Sequence, residues 1–306
     1  MKVFVTGVGG QLGHDLVNEL TKRNIECVGS DIAPEYSGIK DGSAAETAPY
    51  VSLDITDRDR VLKVIGEIKP NAVMHCAAWT AVDAAEDEDK QDKVRAINVF
   101  GTENIADACK AADASMLYLS TDYVFNGKGE TPWEPDCKDY EPLSVYGSTK
   151  LDGELAVSST LDKYFIVRIA WVFGLNGSNF IKTMLRLSET HDSLNVVCDQ
   201  IGTPTYTYDL ARLLVDMILT DKYGYYHATN EGGYISWADF AEEIMKEAGK
   251  KTVINRVTTA EYGVSKAARP FNSRLDKSKL VQNGFEPLPD WKDALCRYLE
   301  ELKKLG

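Results

Sequence analysis

The sequence predicts an α/β protein in which a doubly wound parallel sheet is joined to a smaller, discontinuous α+β unit. Two patterns carry this prediction. Through the first two thirds of the 306 residues, short β-branched and apolar runs alternate with amphipathic stretches, and after about residue 172 that rhythm breaks. Alternation on this scale is what parallel strands produce, because each needs a crossover connection to its neighbour and the helices cover both faces.

KVFVT (2–6), ECVGSD (26–31), YVSLD (50–54), AVMHCA (72–77), MLYLST (116–121) and FIVRIAWVF (165–173) read as strands. Between them, LGHDLVNELTKR (12–23), RDRVLKVIGEI (58–68), VRAINVFGTENIADACKAA (94–112) and VYGSTKLDGELAV (145–157) place apolar residues three and four apart, as a helix face does. Further on, NFIKTMLRLSE and YDLARLLVDMIL read as helices and GYYHATN as one more core strand. SWADFAEEIMKEAG is a helix capped by Ser236 and ended by Gly249, and KKTVINRV is a short strand. The closing helix starts at Asp290. Residues 1–172 with about 206–232 are expected to form one domain, and about 173–205 with 233–306 the other. Residues 35–49 read as a mobile loop and the charge-dense 83–93 as a solvated helix face.

Lys and Arg number 34 against 47 Asp and Glu, a net charge of −13, with 44% hydrophobic residues. That composition belongs to an ordinary globular core and excludes a disordered or fibrous chain. The acidic balance argues against nucleic-acid and anionic-membrane partners, both of which present phosphates. Residues 251–306 nevertheless carry 11 Lys and Arg against 7 Asp and Glu, a net of +4, so an anionic ligand is expected toward that end. The six cysteines form no CxxC and read as reduced thiols serving as small apolar residues. The chain opens on a strand rather than a leader, and a cytoplasmic enzyme or binding protein is expected.

Gly7, Gly10 and Gly13 lie between the first strand and the first helix in VTGVGGQLG. A dinucleotide pyrophosphate needs a tight turn there, backbone approach without a Cβ, and a helix N-terminus whose free N–H groups face the phosphates. A Rossmann-like cofactor site is therefore expected. Asp31 ends the second strand, 18 residues beyond Gly13. Its carboxylate can accept from both ribose hydroxyls and repels a 2′-phosphate, which favours NADH over NADPH. Lys40 nearby softens that preference, and the plainer alternative is a loop aspartate at a strand end. Asp54 and Ile55 close the third strand, beside the adenine if the strand order is the usual one.

Tyr146 and Lys150 stand one helical turn apart in YGSTK. A neighbouring ammonium favours the phenolate and lowers a pKa that starts near about 10. Such a phenol can exchange a proton with a carbonyl or hydroxyl. Tyr36/Lys40 and Tyr262/Lys266 repeat the spacing, so context decides. Tyr36 lies in the polar loop and Tyr262 near a glycine beyond the sheet. Tyr146 instead starts the helix after STDYVF (120–125), which delivers Thr121 to the carboxyl edge of the sheet, where doubly wound folds bind ligands. Asn98 either holds a water for proton relay or is a helix-surface amide.

TGVGGQLG, STDYVF, YGSTK, RIAWVFG (168–174), DQIGTPT (199–205) and ARPFNSRLD (268–276) together resemble the extended short-chain dehydrogenase/reductase superfamily. Within it they resemble the dTDP-4-dehydrorhamnose reductase family, over nearly the whole chain. The resemblance implies NAD(P)H-dependent reduction of the C4 ketone of dTDP-4-dehydro-L-rhamnose. It makes Tyr146 the proton donor and Lys150 the group that holds the nicotinamide ribose. It sets Thr121 in the place of the usual hydroxyl partner, touching the sugar together with Asp122. Gly10, Gln11 and Leu12 fall on the cofactor phosphates, Asp31 on the adenosine ribose, and Asp54 and Ile55 by the adenine. Ala78, Trp79 and Thr80 follow the cofactor toward the reaction centre. Trp171 contacts the nucleotide-sugar, unless it is a core tryptophan continuing its apolar strand. Arg269 and Arg274 are assigned to the diphosphate.

The 35–49 loop is longer than the family leads one to expect. Some relatives are described with a magnesium ion bridging acidic residues, for which Asp15 and Asp209 are the counterparts here, and no metal is assigned. A homodimer is compatible with the resemblance. Two other readings stay open: a nucleotide-sugar epimerase or dehydratase of the same superfamily, and a non-catalytic dinucleotide-binding subunit resembling the regulatory partner of methionine adenosyltransferase.

Overall fold

The computed structural model describes residues 1–263 and 265–305. The first half runs β1 (Lys2–Thr6), α1 (Gln11–Lys22), β2 (Glu26–Asp31), α2 (Ala44–Thr47), β3 (Tyr50–Ser52), α3 (Arg58–Ile68) and β4 (Ala72–His75). It continues through α4 (Glu88–Arg95), α5 (Thr102–Ala111), β5 (Ser115–Thr121), α6 (Val145–Thr160) and β6 (Tyr164–Ile169). Then come β7 (Val172–Phe173), α7 (Phe180–Ser188), β8 (Ser193–Val197), β9 (Ile201–Gly202), β10 (Thr205–Tyr206), α8 (Thr207–Ile218) and β11 (Gly224–His227). The remainder is β12 (Ile235–Ser236), α9 (Trp237–Glu247), β13 (Val253–Val257), α10 (Thr259–Tyr262), α11 (Ser278–Gln282) and α12 (Trp291–Lys304).

Seven parallel strands form the main sheet in the order β11-β6-β5-β4-β1-β2-β3. The order reverses between β1 and β4, and there the loops leaving the carboxyl ends part to open a crevice. The central strands β1, β4 and β5 are buried on both sides, which is why their runs read as continuously apolar. Along β1, Val3 and Val5 enter a cluster with Leu16, Leu20, Leu213 and Leu214 of α1 and α8. Phe4 faces the opposite way, onto Val61 and Ile65 of α3 and Ile105 of α5. A separate cluster of Phe173, Ile181, Leu194, Phe240, Ile244 and Tyr298 builds the second lobe from α7, α9, α12 and the β8–β13 pair. Among the described residues no helix is long and apolar enough to cross a membrane.

The structure departs from the sequence pattern in several places. FIVRIAWVF is not one strand: β6 stops at Ile169, Trp171 takes φ +51°, and β7 leaves the main sheet to pair with β10. The helical stretch around 94–112 is continuous but contains a π-helical segment, Ala96–Gly101, between α4 and α5. The 35–49 segment is packed rather than a bare loop. It forms α2 and buries Tyr36 and Ala45 against α1, with the Tyr36 hydroxyl 2.6 Å from His14 Nδ1. Within the expected second domain, Leu280, Phe285 and Leu288 pack back into the first lobe's core. In 83–93, the expected solvated face is partly engaged: Asp83 holds Arg269 and Asp87 holds Lys266.

Candidate active site

A cleft of about 740 Å³ opens at the carboxyl edge of the sheet, beyond the paired ends of β1 and β4. At its base, Gly7 turns the chain at φ +73° and its carbonyl accepts from Gly10 N at 3.0 Å. The first helical bond of α1 is His14 N to Gly10 O, and no side chain caps the helix start. The N–H groups of Gln11, Leu12 and Gly13 therefore precede the helical ladder and carry the positive end of its dipole. A Cβ on Gly13 would fall on the Gly7 carbonyl oxygen and 2.8 Å from Val8 Cα, so only glycine lets α1 sit this close to the turn. At the β2 and β3 end of the cleft, Asp31 Oδ2 accepts from Gly9 N at 2.9 Å and Oδ1 from its own neighbour Ile32 N at 2.8 Å. Asp54 Oδ1 accepts from Thr56 N and Oγ1, and Ile55 lies beside it in the wall.

The other end of the cleft holds Thr121, Asp122, Tyr146 and Lys150. Ser144 caps α6 by accepting from Gly147 N at 3.1 Å, which fixes the turn that presents Tyr146. Thr121 ends β5, and its hydroxyl accepts from Tyr123 N at 3.3 Å and donates to Asp122 Oδ1 at 3.0 Å. Burial pushes the Asp122 carboxyl up to about 6, against hydrogen bonds from Ser273 and Thr121. Lys150 is buried, its ammonium 4.0 Å from the centre of the Tyr118 ring. That burial pulls it down to about 7, with Glu154 opposing.

One expectation is corrected here. Tyr146 is raised, not lowered: desolvation by the cleft walls and the charge of Asp122 outweigh the neighbouring Thr121 hydroxyl. The physical reason is burial, which disfavours the charged phenolate, while Lys150 is itself buried and sits over the Tyr118 ring.

Gly7, Gly10, Gln11, Leu12, Gly13, Asp31, Asp54, Ile55, Ala78, Thr80 and Trp171 all line this one cleft with the four groups above. Trp171 does not continue a core strand; its ring stacks on Trp237 at 3.8 Å. Trp79 and Arg269 are not among the lining residues. Trp79 turns its indole N–H to Ala81 O, and Arg269 is clamped by both oxygens of Asp83 at 3.1 and 2.7 Å. Arg274 donates to Asn272 Oδ1 and likewise does not line the cleft. Asn98 is buried rather than on a helix surface, and its amide bonds Trp79 N, Trp79 O and Thr149 Oγ1. Asp209 is held by Arg297 at 2.8 and 2.7 Å, and burial pushes Asp15 up to about 7. Among the described residues no three His, Cys, Asp or Glu side chains are grouped to hold a metal.

The sequence did not single out Ser30 and Ser120, which line the cleft with hydroxyls that are buried and without a hydrogen-bond partner, as is Asp122 Oδ2. Ser30 adjoins Asp31 and Ser120 adjoins Thr121, so the strand-end positions were the available signal. The glycine cradle and the uncapped helix N-terminus fit a ligand with a diphosphate.

A family profile described as "RmlD substrate binding domain" matches residues 1–304. The spore coat polysaccharide biosynthesis protein SpsK of Bacillus subtilis is 38% identical over 300 residues, covering 98% of this chain and 97% of that protein. The crystal structure of a dTDP-4-dehydrorhamnose reductase from Clostridium acetobutylicum is similar with a TM-score of 0.89 and 39% identity, covering 99% of this chain and 100% of that one. A Bacillus anthracis dTDP-4-dehydrorhamnose reductase in complex with NADP gives a TM-score of 0.87 at 37% identity, covering 98% and 99%.

Proposed function

Because the chain belongs to the RmlD-type dTDP-4-dehydrorhamnose reductase family, we propose that it reduces the C4 ketone of dTDP-4-dehydro-L-rhamnose to the alcohol of dTDP-L-rhamnose, using a reduced nicotinamide dinucleotide. The observation that carries this reading is that one cleft joins the glycine turn and helix N-terminus to Thr121, Tyr146 and Lys150. When bound, the dinucleotide supplies the hydride.

The chain's own residues supply the rest. Gln11, Leu12 and Gly13 N–H groups bind the diphosphate. Tyr146 keeps its proton at neutral pH because burial raises it, so the group facing the ketone is the acid form that a developing alkoxide needs. Thr121 lies beside Tyr146 to hydrogen-bond the same oxygen. A ribose hydroxyl accepting from Lys150 Nζ favours its ammonium form, which stabilises the phenolate left after proton transfer. Trp171 and Asp122 take the nucleotide-sugar. We place the reaction in the cytoplasm, beside the pools of reduced dinucleotide and nucleotide sugar.

Asp31 bears on cofactor choice. Its carboxylate sits at the end of β2 in the cleft wall and favours a free 2′-hydroxyl over a 2′-phosphate. Asp31→Ala is expected to raise the KM for NADH more than that for NADPH. Steady-state kinetics with each cofactor checks this, and equal effects on both would remove the ribose contact. The reaction itself is tested by the stoichiometry of added NADH or NADPH. A reductase consumes one equivalent per sugar, whereas an epimerase or dehydratase returns the hydride and a binding-only subunit consumes none.

A further inference from the structure

The turn that follows β7, residues 174–179, leads from the β7–β10 pair into α7 and meets the glycine turn. Asn176 at its centre is 4% exposed and uses its whole amide. Its Nδ2 donates to Gly9 O at 2.9 Å and to Gly10 O at 3.2 Å. Its Oδ1 accepts from Ile39 N at 3.2 Å and from Gly177 N at 3.1 Å. Flipping the amide would set its oxygen against two carbonyls, so the network defines the orientation. One side chain thus fastens three segments that are remote in sequence: the glycine turn, the 35–49 segment and the entry to the second lobe. Asn176 itself is not among the residues lining the cleft, while Gly177 and Ser178 beside it are.

We propose that Asn176 is the positioning residue of the dinucleotide site, holding the phosphate-binding turn in register from behind. The reasoning is geometric. In a trans peptide the C=O and the following N–H point in opposite directions. Anchoring the Gly10 carbonyl on Asn176 therefore aims the Gln11 N–H away from it, and Gln11 lines the cleft. The same amide seats Ile39, so the chain after Asp31 is fixed by the contact that fixes the turn. Asn179, one turn of chain later, adds a weaker tie from Nδ2 to Gln11 Oε1 at 3.1 Å. Without Asn176 the Gly9 and Gly10 carbonyls lose a buried donor and the turn must find another arrangement before it can bind phosphate.

This proposal rests on the assignment of the cleft to a reduced nicotinamide dinucleotide, and its test separates the two. Full-length wild type, Asn176→Ala and Asn176→Asp are titrated with NADH and NADPH, and kcat and both KM values are measured alongside thermal melts. Asn176→Ala is expected to weaken dinucleotide binding about tenfold while kcat at saturating cofactor and the KM for the nucleotide-sugar stay within about threefold. Asn176→Asp keeps the size of the side chain but turns a carboxylate oxygen toward two carbonyls, and is expected to bind dinucleotide more weakly than Asn176→Ala. Wild-type affinity in either variant would overturn the proposal. So would a loss shared equally by cofactor affinity, sugar KM and kcat with a lowered melting temperature, which marks a merely structural role. No dinucleotide binding by the wild-type chain would overturn the cofactor assignment and the proposal with it.

Discussion

Tyr146→Phe is expected to lower kcat by about 10²–10⁴-fold, the usual contribution of a positioned general acid, while dinucleotide affinity stays close to wild type. The substitution removes one oxygen from a side chain whose ring packs edge-on against Tyr123 at 5.5 Å, so the ring and the start of α6 remain in place. What is lost is the proton for the C4 oxygen. Thr121 remains as a hydrogen-bond donor but has no comparable acidity, and the Lys150 ammonium lies against the Tyr118 ring. Single-turnover kinetics with a cofactor-binding titration checks both halves of the expectation. Normal turnover in the variant would remove Tyr146 from the chemistry.

The largest effect on stability is expected at Glu154, which has no contact with the proposed substrate. Glu154 on α6 and Arg168 on β6 are both fully buried and joined by two hydrogen bonds of 2.8 and 2.7 Å. Arg168 also donates to Pro135 O and to the Tyr140 hydroxyl, each at 3.0 Å, pinning the long β5–α6 connection to the sheet. Glu154→Ala strands a guanidinium that cannot give up its proton, at a cost of about 3–5 kcal/mol. Replacing both partners with apolar residues, as in Glu154→Leu with Arg168→Met, is expected to recover most of that loss, because no charge is then left without a counter-ion. Urea unfolding of the two variants measures it. A cost below about 1 kcal/mol for Glu154→Ala would mean that water reaches Arg168, contrary to its burial.

These two residues differ in how far the sequence exposes them. That Tyr146 shares a cleft with Lys150 and Thr121 is legible because one partner stands a helical turn away and the other at the preceding strand end, both written locally. The glycine turn is legible for the same reason, and the parallel sheet because its central strands, buried on both faces, are largely apolar. The pairing of Glu154 with Arg168 is written nowhere local, since the two lie on different elements. The clamp on Arg269 is similarly hidden: its partner Asp83 is 186 positions away, inside an acidic run that looks like solvated surface. The break at Trp171 leaves no signal either, because a tryptophan at positive φ breaks the ordinary preference of its residue type. That Tyr146 is shifted up rather than down follows from its burial, which the whole fold sets.

The central claim is that hydride and proton are delivered together to the C4 carbonyl of a nucleotide-linked sugar in the β1/β4 crevice. It is tested most directly by incubating the chain with dTDP-4-dehydro-L-rhamnose and a reduced dinucleotide with both hydrogens of nicotinamide C4 replaced by deuterium. The expected result is one equivalent of oxidised cofactor and dTDP-L-rhamnose with a single deuterium on sugar C4. Unchanged cofactor, or a sugar product bearing no deuterium, would contradict it.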